Sequence, residues 1–225
     1  IVLPFQLGEF PFSITLLADI FAFIWLMLMI NTMNFLDGLD GLAAGVGAIG
    51  AFIIFILSLL PIVNQPATAT VALILAGCLL GFLCFNFNPA SIFMGDGGST
   101  FIGLSLATLA IIANGKIATT LLVLGLPLID VALVVLRRIF IDRRAPWQGD
   151  RKHFHHRLLS IGLSQRQSVI VVYIFCSIFG SAALFLGSSQ KLLALGIMAL
   201  AMLSLFAVVI FLERRQQMRP PTLPH

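Results

Sequence analysis

The chain has 225 residues, of which 60% are hydrophobic and only 10% are charged, and its mean hydropathy is +1.08. A soluble domain of this length is excluded, because its surface would need far more polar side chains. The net charge of +4 and the pI near 9.4 do not indicate a nucleic-acid partner, since the basic residues flank apolar segments without interleaved aromatic residues. The composition predicts an integral membrane protein.

Seven apolar segments follow one another along the chain, and most are long enough to cross about 30 Å of hydrocarbon as helices. They lie near residues 13–30, 43–60, 68–85, 100–113, 118–136, 168–187 and 191–212. The segment 100–113 is the shortest, and a tilted or half-buried helix there would break the alternation of sides. We predict an all-α polytopic bundle of about seven transmembrane helices, with residues 1–225 forming a single membrane domain.

Basic residues are distributed unequally between the two sides that these spans create. One side receives the loops at 31–42, 86–99 and 137–167 together with the C-terminal tail. Eleven of the thirteen Lys and Arg residues fall on that side, and only Lys116 and Lys191 fall on the other. Cytoplasmic loops collect basic residues, so this side is predicted to face the cytoplasm, with 137–167 as a long basic loop. The polar motifs fall on the same side, where we expect the chemistry.

The first polar motif, NTMNFLDGLDG at residues 31–41, places Asn31, Asn34, Asp37 and Asp40 three residues apart. On an α-helix this spacing drifts by about 60° per step, whereas 3₁₀-like geometry keeps the side chains on one face. The glycine after each aspartate favours a broken or capped helix end. We predict a 3₁₀-like segment that directs these side chains at one ligand. A simple Asp-Gly turn between two helices is the alternative.

The second polar motif, NFNPASIFMGDGGS at residues 86–99, combines amides, a helix-breaking proline, an aromatic residue and a glycine-rich run. Backbone N–H groups of a glycine-rich turn at a helix N-terminus favour anions, and Asp96 among flexible glycines is a ligand for a hard cation. Mg²⁺ needs only one or two protein carboxylates beside water and phosphate oxygens. The motif therefore predicts a Mg²⁺-phosphate site, with simple helix capping by Asp96 as the alternative.

A third cluster, at residues 142–157, contains three histidines between arginines. Histidines bind zinc, but adjacent cations raise the cost of another cation and favour anions. We therefore favour phosphate recognition over zinc, while ordinary surface charge stays open for the individual arginines. His153 and His156 are three residues apart and would share one helical face.

Four segments, in this order, resemble the bacterial polyprenyl-phosphate N-acetylhexosamine-1-phosphate transferases, the superfamily of WecA, TagO and MraY. They are NTMNFLDGLDGLAAG at 31–45, FNFNPASIFMGDGGSTFIG at 85–103, PLID at 127–130 and DRKHFHHRLLSIGLSQRQ at 150–167. The HFHH form at 153–156 resembles the WecA and TagO branch, which implies UDP-GlcNAc or a related UDP-N-acetylhexosamine as the donor. A MraY-like phospho-MurNAc-pentapeptide transferase is the alternative.

The resemblance implies transfer of GlcNAc-1-phosphate to undecaprenyl phosphate in the bacterial cytoplasmic membrane, with release of UMP, as a first step of cell-envelope glycan synthesis. Two anions must meet, so Mg²⁺, or Mn²⁺ in its place, is the implied cofactor. Asp96 and Asn34 are implied metal ligands, and Asp37, Asp40 and Asp96 are the implied catalytic residues. The implied substrate-binding residues are Asn31, Asn34, Asp37, Asp40, Asn86, Phe93 (stacking on uracil), Asp150, His153, His155, His156 and Arg157.

The sequence departs from the family at one motif, because the paired aspartates of an earlier helix do not occur in it. We therefore expect a fragment that lacks several N-terminal helices; a divergent member would be inactive. Asp130 of PLID has no assigned role, although pairing with an arginine is one option. An ion-coupled transporter is the rival from another class, but it would place polar residues at the midplane. Homodimerisation stays open.

Overall fold

The computed structural model describes residues 12–113, 117–137 and 154–217, and all regular structure within these ranges is α-helical. The helices in this part of the chain are α1 Phe12–Leu36, α2 Leu42–Leu59, α3 Pro66–Asn86, α4 Gly95–Ile112, α5 Ile117–Val123, α6 Gly125–Arg137, α7 Phe154–Ser160, α8 Gln165–Phe185 and α9 Ser188–Gln217. The prediction of an all-α bundle is confirmed.

Six of these helices are long and apolar enough to cross a membrane, and a seventh span results if α5 and α6 are counted together. The chain is thus a multi-pass membrane protein. Helices α5 and α6, predicted as one span over 118–136, meet at an angle of 79°. Pro127 explains the bend, because it has no N–H and its ring clashes with the carbonyl four residues earlier, that of Val123 at the end of α5.

The two helix boundaries that lie in the polar motifs differ from the sequence prediction. Helix α1 continues to Leu36, so the prediction of a 3₁₀-like segment beginning at Asn31 is wrong. Helix α4 begins at Gly95, so the Gly-Asp-Gly-Gly run forms its first turn instead of a preceding loop. Tertiary packing outweighs the low helix propensity of these glycines and asparagines, because each helix extends along a neighbouring helix.

Helix α2 lies at the centre of the bundle and contacts α1, α3, α4, α5 and α8. Most of its length is buried, whereas the other long helices are buried on one side and expose apolar side chains on the other. The sequence LAAGVGAIGA at its start explains this position, because small residues let neighbouring helices approach closely. The turn before α2 carries Asp37 and Asp40, so the polar site is anchored to the core of the bundle.

Candidate active site at one end of the bundle

The antiparallel helices α1 and α4 bring the first two polar motifs together. Asn34 Nδ2 donates to Ser99 Oγ at 3.3 Å, and the Ser99 hydroxyl donates within its own helix toward the first-turn carbonyls. Moving one turn along α1 and one turn back along α4 leads from this pair to Asp37 and Asp96. The Gly95 backbone N–H and the Asp96 carboxylate both influence the Asp37 carboxylate, so the end of α1 lies close to the start of α4.

Gly103 allows α1 and α4 to approach closely enough for this arrangement. A Cβ at Gly103 would lie 2.7 Å from Ile30 Cα and 2.8 Å from the Met29 carbonyl oxygen. Both are backbone atoms, so no side-chain rotation would remove the clash. Ile30 precedes Asp37, and Gly103 follows Asp96, by about two helical turns each. The same register therefore fixes both the backbone contact and the carboxylate pair.

The electrostatic environment of Asp37 is unusual for a carboxylate at a helix end. Its pKa is raised from 3.8 to about 6, chiefly because burial removes water from the charged form. The negative charge of Asp96 raises this pKa further, while the hydrogen bond from Gly95 lowers it. Two neighbouring carboxylates that repel each other would be stabilised together by a cation.

Four of the predicted site residues present exposed side chains at this end of the bundle. Asp96 and Asn34 are exposed, and the Phe93 side chain is 75% exposed just before α4. Asn31, also exposed, donates from Nδ2 to the Met27 carbonyl of its own helix at 2.7 Å. The structure therefore brings Asn34, Asp37 and Asp96 together, while the Asn31 amide is turned along α1.

Asn86 lies beneath the surface of the site, where it is only 3% exposed. Its Oδ1 accepts a hydrogen bond from the Gly41 N–H at 3.0 Å, and its Nδ2 donates to the Ile92 carbonyl at 2.9 Å. These bonds join the start of α2 to the segment that leads into α4. In this structure, the predicted substrate-binding residue Asn86 links the two polar motifs.

Asp40 is likewise engaged by the second motif. Its Oδ2 accepts hydrogen bonds from Asn88 Nδ2 at 3.0 Å and from the Ala90 N–H at 3.2 Å. The Asn88–Pro89 peptide bond in this turn is cis. Asp40 is therefore placed to hold the turn at 88–90, while Asp37 and Asp96 form the carboxylate pair.

The histidine segment is described from Phe154 onwards, so Asp150 and His153 lie outside the described residues, as do the side chains of His155 and His156. Asp130 Oδ1 accepts a hydrogen bond from the Phe154 N–H at 2.8 Å. The buried Phe154 ring packs against Phe206 of α9, with 5.1 Å between the ring centroids. Helix α7 is thereby fixed to both α6 and α9.

Arg157, a predicted substrate-binding residue, forms an ion pair with Glu213 of α9 at 2.9 Å. Ser160 Oγ also donates to Glu213, at 3.3 Å. The sequence analysis missed Glu213, although a lone acid near the basic end of the last apolar span was a detectable signal. It also missed the roles of Gln165 and Arg166, which lie in the last motif and contact Asn88.

The fold and the site define a class of protein: a polytopic all-α membrane protein with a carboxylate and amide site at one end of its bundle. Residues 2–114 match the family model described as Glycosyl transferase family 4. The chain belongs to this family, in agreement with the resemblance found in its motifs.

Several curated proteins are similar to this chain. A probable undecaprenyl-phosphate N-acetylglucosaminyl 1-phosphate transferase of Bacillus subtilis is 36% identical over 150 residues, covering 64% of this chain and 40% of the relative. A decaprenyl-phosphate N-acetylglucosaminephosphotransferase of Mycobacterium leprae is 35% identical over 166 residues, covering 65% and 42%. A putative phospho-N-acetylmuramoyl-pentapeptide-transferase of Methanothermobacter thermautotrophicus is 33% identical over 117 residues, covering 52% and 32%. The chain spans about two fifths of the length of the first two relatives.

Proposed function

We propose that this chain carries the metal and nucleotide-sugar site of a polyprenyl-phosphate N-acetylglucosamine-1-phosphate transferase. In the proposed reaction, a phosphate oxygen of the lipid attacks the β-phosphorus of UDP-GlcNAc, and the bond between that phosphorus and UMP breaks. A lipid pyrophosphate-linked sugar and UMP are the products. The observation that carries this proposal is the pairing of Asp37 with Asp96 beside the exposed Phe93. The family and the names of the Bacillus subtilis and Mycobacterium leprae relatives support the choice of substrates.

The ligand chemistry of the site fits a magnesium ion. Among the described residues, no three His, Cys, Asp or Glu side chains form a metal-ligating group. Mg²⁺ is instead held by one or two carboxylates and by substrate phosphate oxygens, so Asp37 and Asp96 suffice. The Asn34 amide nitrogen faces Ser99, which leaves its oxygen on the opposite side as a further ligand. When bound, Mg²⁺ or Mn²⁺ would neutralise phosphate charge and align the displacement.

The chain's own residues have distinct tasks in the proposed site. Backbone N–H groups in the first turn of α4 would bind a phosphate oxygen, because they lack partners within the helix. Phe93 would stack on the uracil ring, and the segment at 153–157 would bind the diphosphate or the sugar. We place this end of the bundle on the cytoplasmic face of the bacterial inner membrane, because most basic residues lie in its loops.

A phospho-MurNAc-pentapeptide transferase is the second candidate. It is favoured by one relative of that printed description, whose match is shorter than the first two. The two candidates share the metal and uridine chemistry and differ in the donor sugar. Competition between the two UDP-sugars therefore distinguishes them.

The proposed function is tested by measuring labelled lipid product and UMP release from UDP-GlcNAc, undecaprenyl phosphate and Mg²⁺ with the purified full-length protein in detergent. Asp96→Asn is expected to abolish the product, and omission of Mg²⁺ should do the same. Asp19→Asn is the matched control, because Asp19 lies on α1 several turns from the site and is exposed. If only UDP-MurNAc-pentapeptide is turned over, that sugar replaces UDP-GlcNAc as the donor. If the folded protein is inert toward every UDP-sugar, the proposal is overturned.

A further inference from the structure

The sequence SQRQ at residues 164–167 begins α8, and its four side chains have two separate tasks. Ser164 and Gln167 form a capping box, in which the Ser164 hydroxyl accepts from the Gln167 N–H and Gln167 Oε1 accepts from the Ser164 N–H. These bonds satisfy backbone groups at the helix start. Gln165 and Arg166, between them, contact a different part of the protein.

Both of these residues bind Asn88, in the turn of the second polar motif. Gln165 Oε1 accepts a hydrogen bond from Asn88 Nδ2 at 2.9 Å. Arg166 Nε donates to the Asn88 carbonyl at 2.7 Å, and this bond is strengthened by the guanidinium charge. The side chain and the main chain of Asn88 are thus held by neighbouring residues of one helix.

Asn88 also connects α8 to the first polar motif. Its Nδ2 donates to Asp40 Oδ2 at 3.0 Å, so the two amide hydrogens are shared between Asp40 and Gln165. Further along α8, the Tyr173 hydroxyl donates to the Gly41 carbonyl. Helix α8 therefore contacts both motifs of the site, although it contributes none of the predicted ligands.

The segment that follows Asn88 carries the groups that would meet the nucleotide. It contains Phe93 and leads into the first turn of α4. Beyond Asn88, Asp40 accepts a hydrogen bond from the Ala90 N–H and Asn86 donates to the Ile92 carbonyl. Ser91 and the Ile92 N–H donate to the Phe85 carbonyl. A loop held at more points loses less conformational entropy when a ligand orders it. The contacts of α8 with Asn88 thus bear on how well Phe93 is placed before binding.

We propose that Gln165 and Arg166 are positioning residues that act through Asn88 to preorganise Phe93 and the α4 N-terminus for the nucleotide-sugar. This inference rests on the proposed function. Neither residue is assigned contact with substrate. Their removal leaves the reacting groups in place but makes the free loop less ordered, so the cost falls on binding rather than on the chemical step.

The test compares Gln165 with Gln167, two glutamines of the same helix turn. Gln165→Ala is expected to raise KM for UDP-GlcNAc about tenfold while kcat stays within about twofold, and Arg166→Ala should behave similarly. Gln167→Ala removes half of the capping box, so it should lower the melting temperature without changing KM. If KM of Gln165→Ala equals that of the wild type, or if Gln167→Ala raises KM equally, the inference is overturned.

A double-mutant cycle tests whether Gln165 acts through Asn88. The KM of Asn88→Ala/Gln165→Ala should equal that of Asn88→Ala alone, because the shared contact is already lost. Fully additive effects would contradict this coupling.

Hydrogen exchange of the free protein separates this inference from the proposed function. Amides of residues 88 and 90–94 should exchange faster in Gln165→Ala and Arg166→Ala than in the wild type, but not in Gln167→Ala. Unchanged exchange in both variants would overturn the positioning role even if the enzyme is active. If the two variants exchange faster but the wild-type protein turns over no UDP-sugar, only the proposed function is overturned.

Discussion

Asp37 and Asp96 face each other across the antiparallel pair α1 and α4, although they belong to separate motifs. The same helix register places Asn34 against Ser99 and Ile30 against Gly103. The carboxylate pair is thus a consequence of helix packing as much as of the acidic residues themselves. Residues that touch no ligand are therefore expected to influence metal binding.

Gly103→Ala tests this dependence on helix packing. The added methyl group would collide with the backbone of Ile30, so α1 and α4 must separate and the carboxylates must move apart. We expect a loss of about 1–3 kcal/mol in stability and at least a tenfold loss of Mn²⁺ affinity, measured by electron paramagnetic resonance. Gly77→Ala in α3 is the control, because nothing lies within 4 Å of its added methyl group. Equal Mn²⁺ affinity in both variants would refute the role of the helix contact.

The raised pKa of Asp37 predicts a pH-dependent affinity for divalent cations. A carboxylate must be ionised to bind a metal, and Asp37 has a pKa of about 6 without one. Lowering the pH from 7 to 5 should therefore reduce Mn²⁺ affinity about tenfold in the wild type, because only about a tenth of Asp37 stays ionised at pH 5. Asp37→Asn should bind weakly at both pH values. A flat profile in the wild type would contradict the assignment of Asp37 as a ligand.

The raised pKa of Asp37 affects the stability of the metal-free protein in the opposite direction: metal affinity increases with pH, whereas this contribution to stability decreases. The folded state favours the protonated form of Asp37, since the pKa rises on folding from 3.8 to about 6. This contribution to stability is present below about pH 4 and is lost as the pH rises through 6. In chelator-containing buffer, Asp37→Asn should therefore gain stability relative to the wild type as the pH increases from 4 to 7. Parallel thermal-unfolding curves for the two proteins across this range would argue against the shift.

Asp130 is predicted to position the histidine segment. Asp130→Ala leaves the buried Phe154 N–H without this acceptor, a loss of about 1–3 kcal/mol that should loosen α7. Asp130→Asn keeps an acceptor oxygen and should retain more activity. Hydrogen exchange over residues 154–160 measures the effect directly, and equal protection in the wild type and Asp130→Ala would show that α7 does not depend on this bond.

Exchanging the charges of Arg157 and Glu213 shows whether Arg157 anchors α7 or binds the substrate. If Arg157 chiefly anchors α7, the exchange Arg157→Glu/Glu213→Arg should recover activity lost in either single variant, although the coupling of a partly exposed pair is only about 1 kcal/mol. If Arg157 chiefly binds the diphosphate, the exchanged protein should stay as impaired as Arg157→Glu. Transfer rates at saturating and limiting UDP-GlcNAc separate the two results.

The sequence was sufficient to predict a helical membrane protein, because apolar segments of this length and number have few stable structures other than membrane-spanning helices. It also grouped Asn34, Asp37 and Asp96, since alternation of the spans places their loops on one side. It could not show that α1 passes Asn31 unbroken or that α4 begins at Gly95, because tertiary contacts decide helix ends that glycine and asparagine leave ambiguous. The bonds of Asp40 to Asn88 and of Asp130 to Phe154 depend on the relative heights of separate helices, which no local pattern encodes.

Mn²⁺ titration in the presence of UDP, followed by electron paramagnetic resonance, measures whether Asp37 and Asp96 jointly hold a divalent cation beside the nucleotide. We expect Asp37→Asn and Asp96→Asn each to lose most of the bound-Mn²⁺ signal and the double variant to be little worse than either, whereas Asp19→Asn should match the wild type. Wild-type Mn²⁺ affinity in Asp37→Asn and Asp96→Asn would contradict this joint binding.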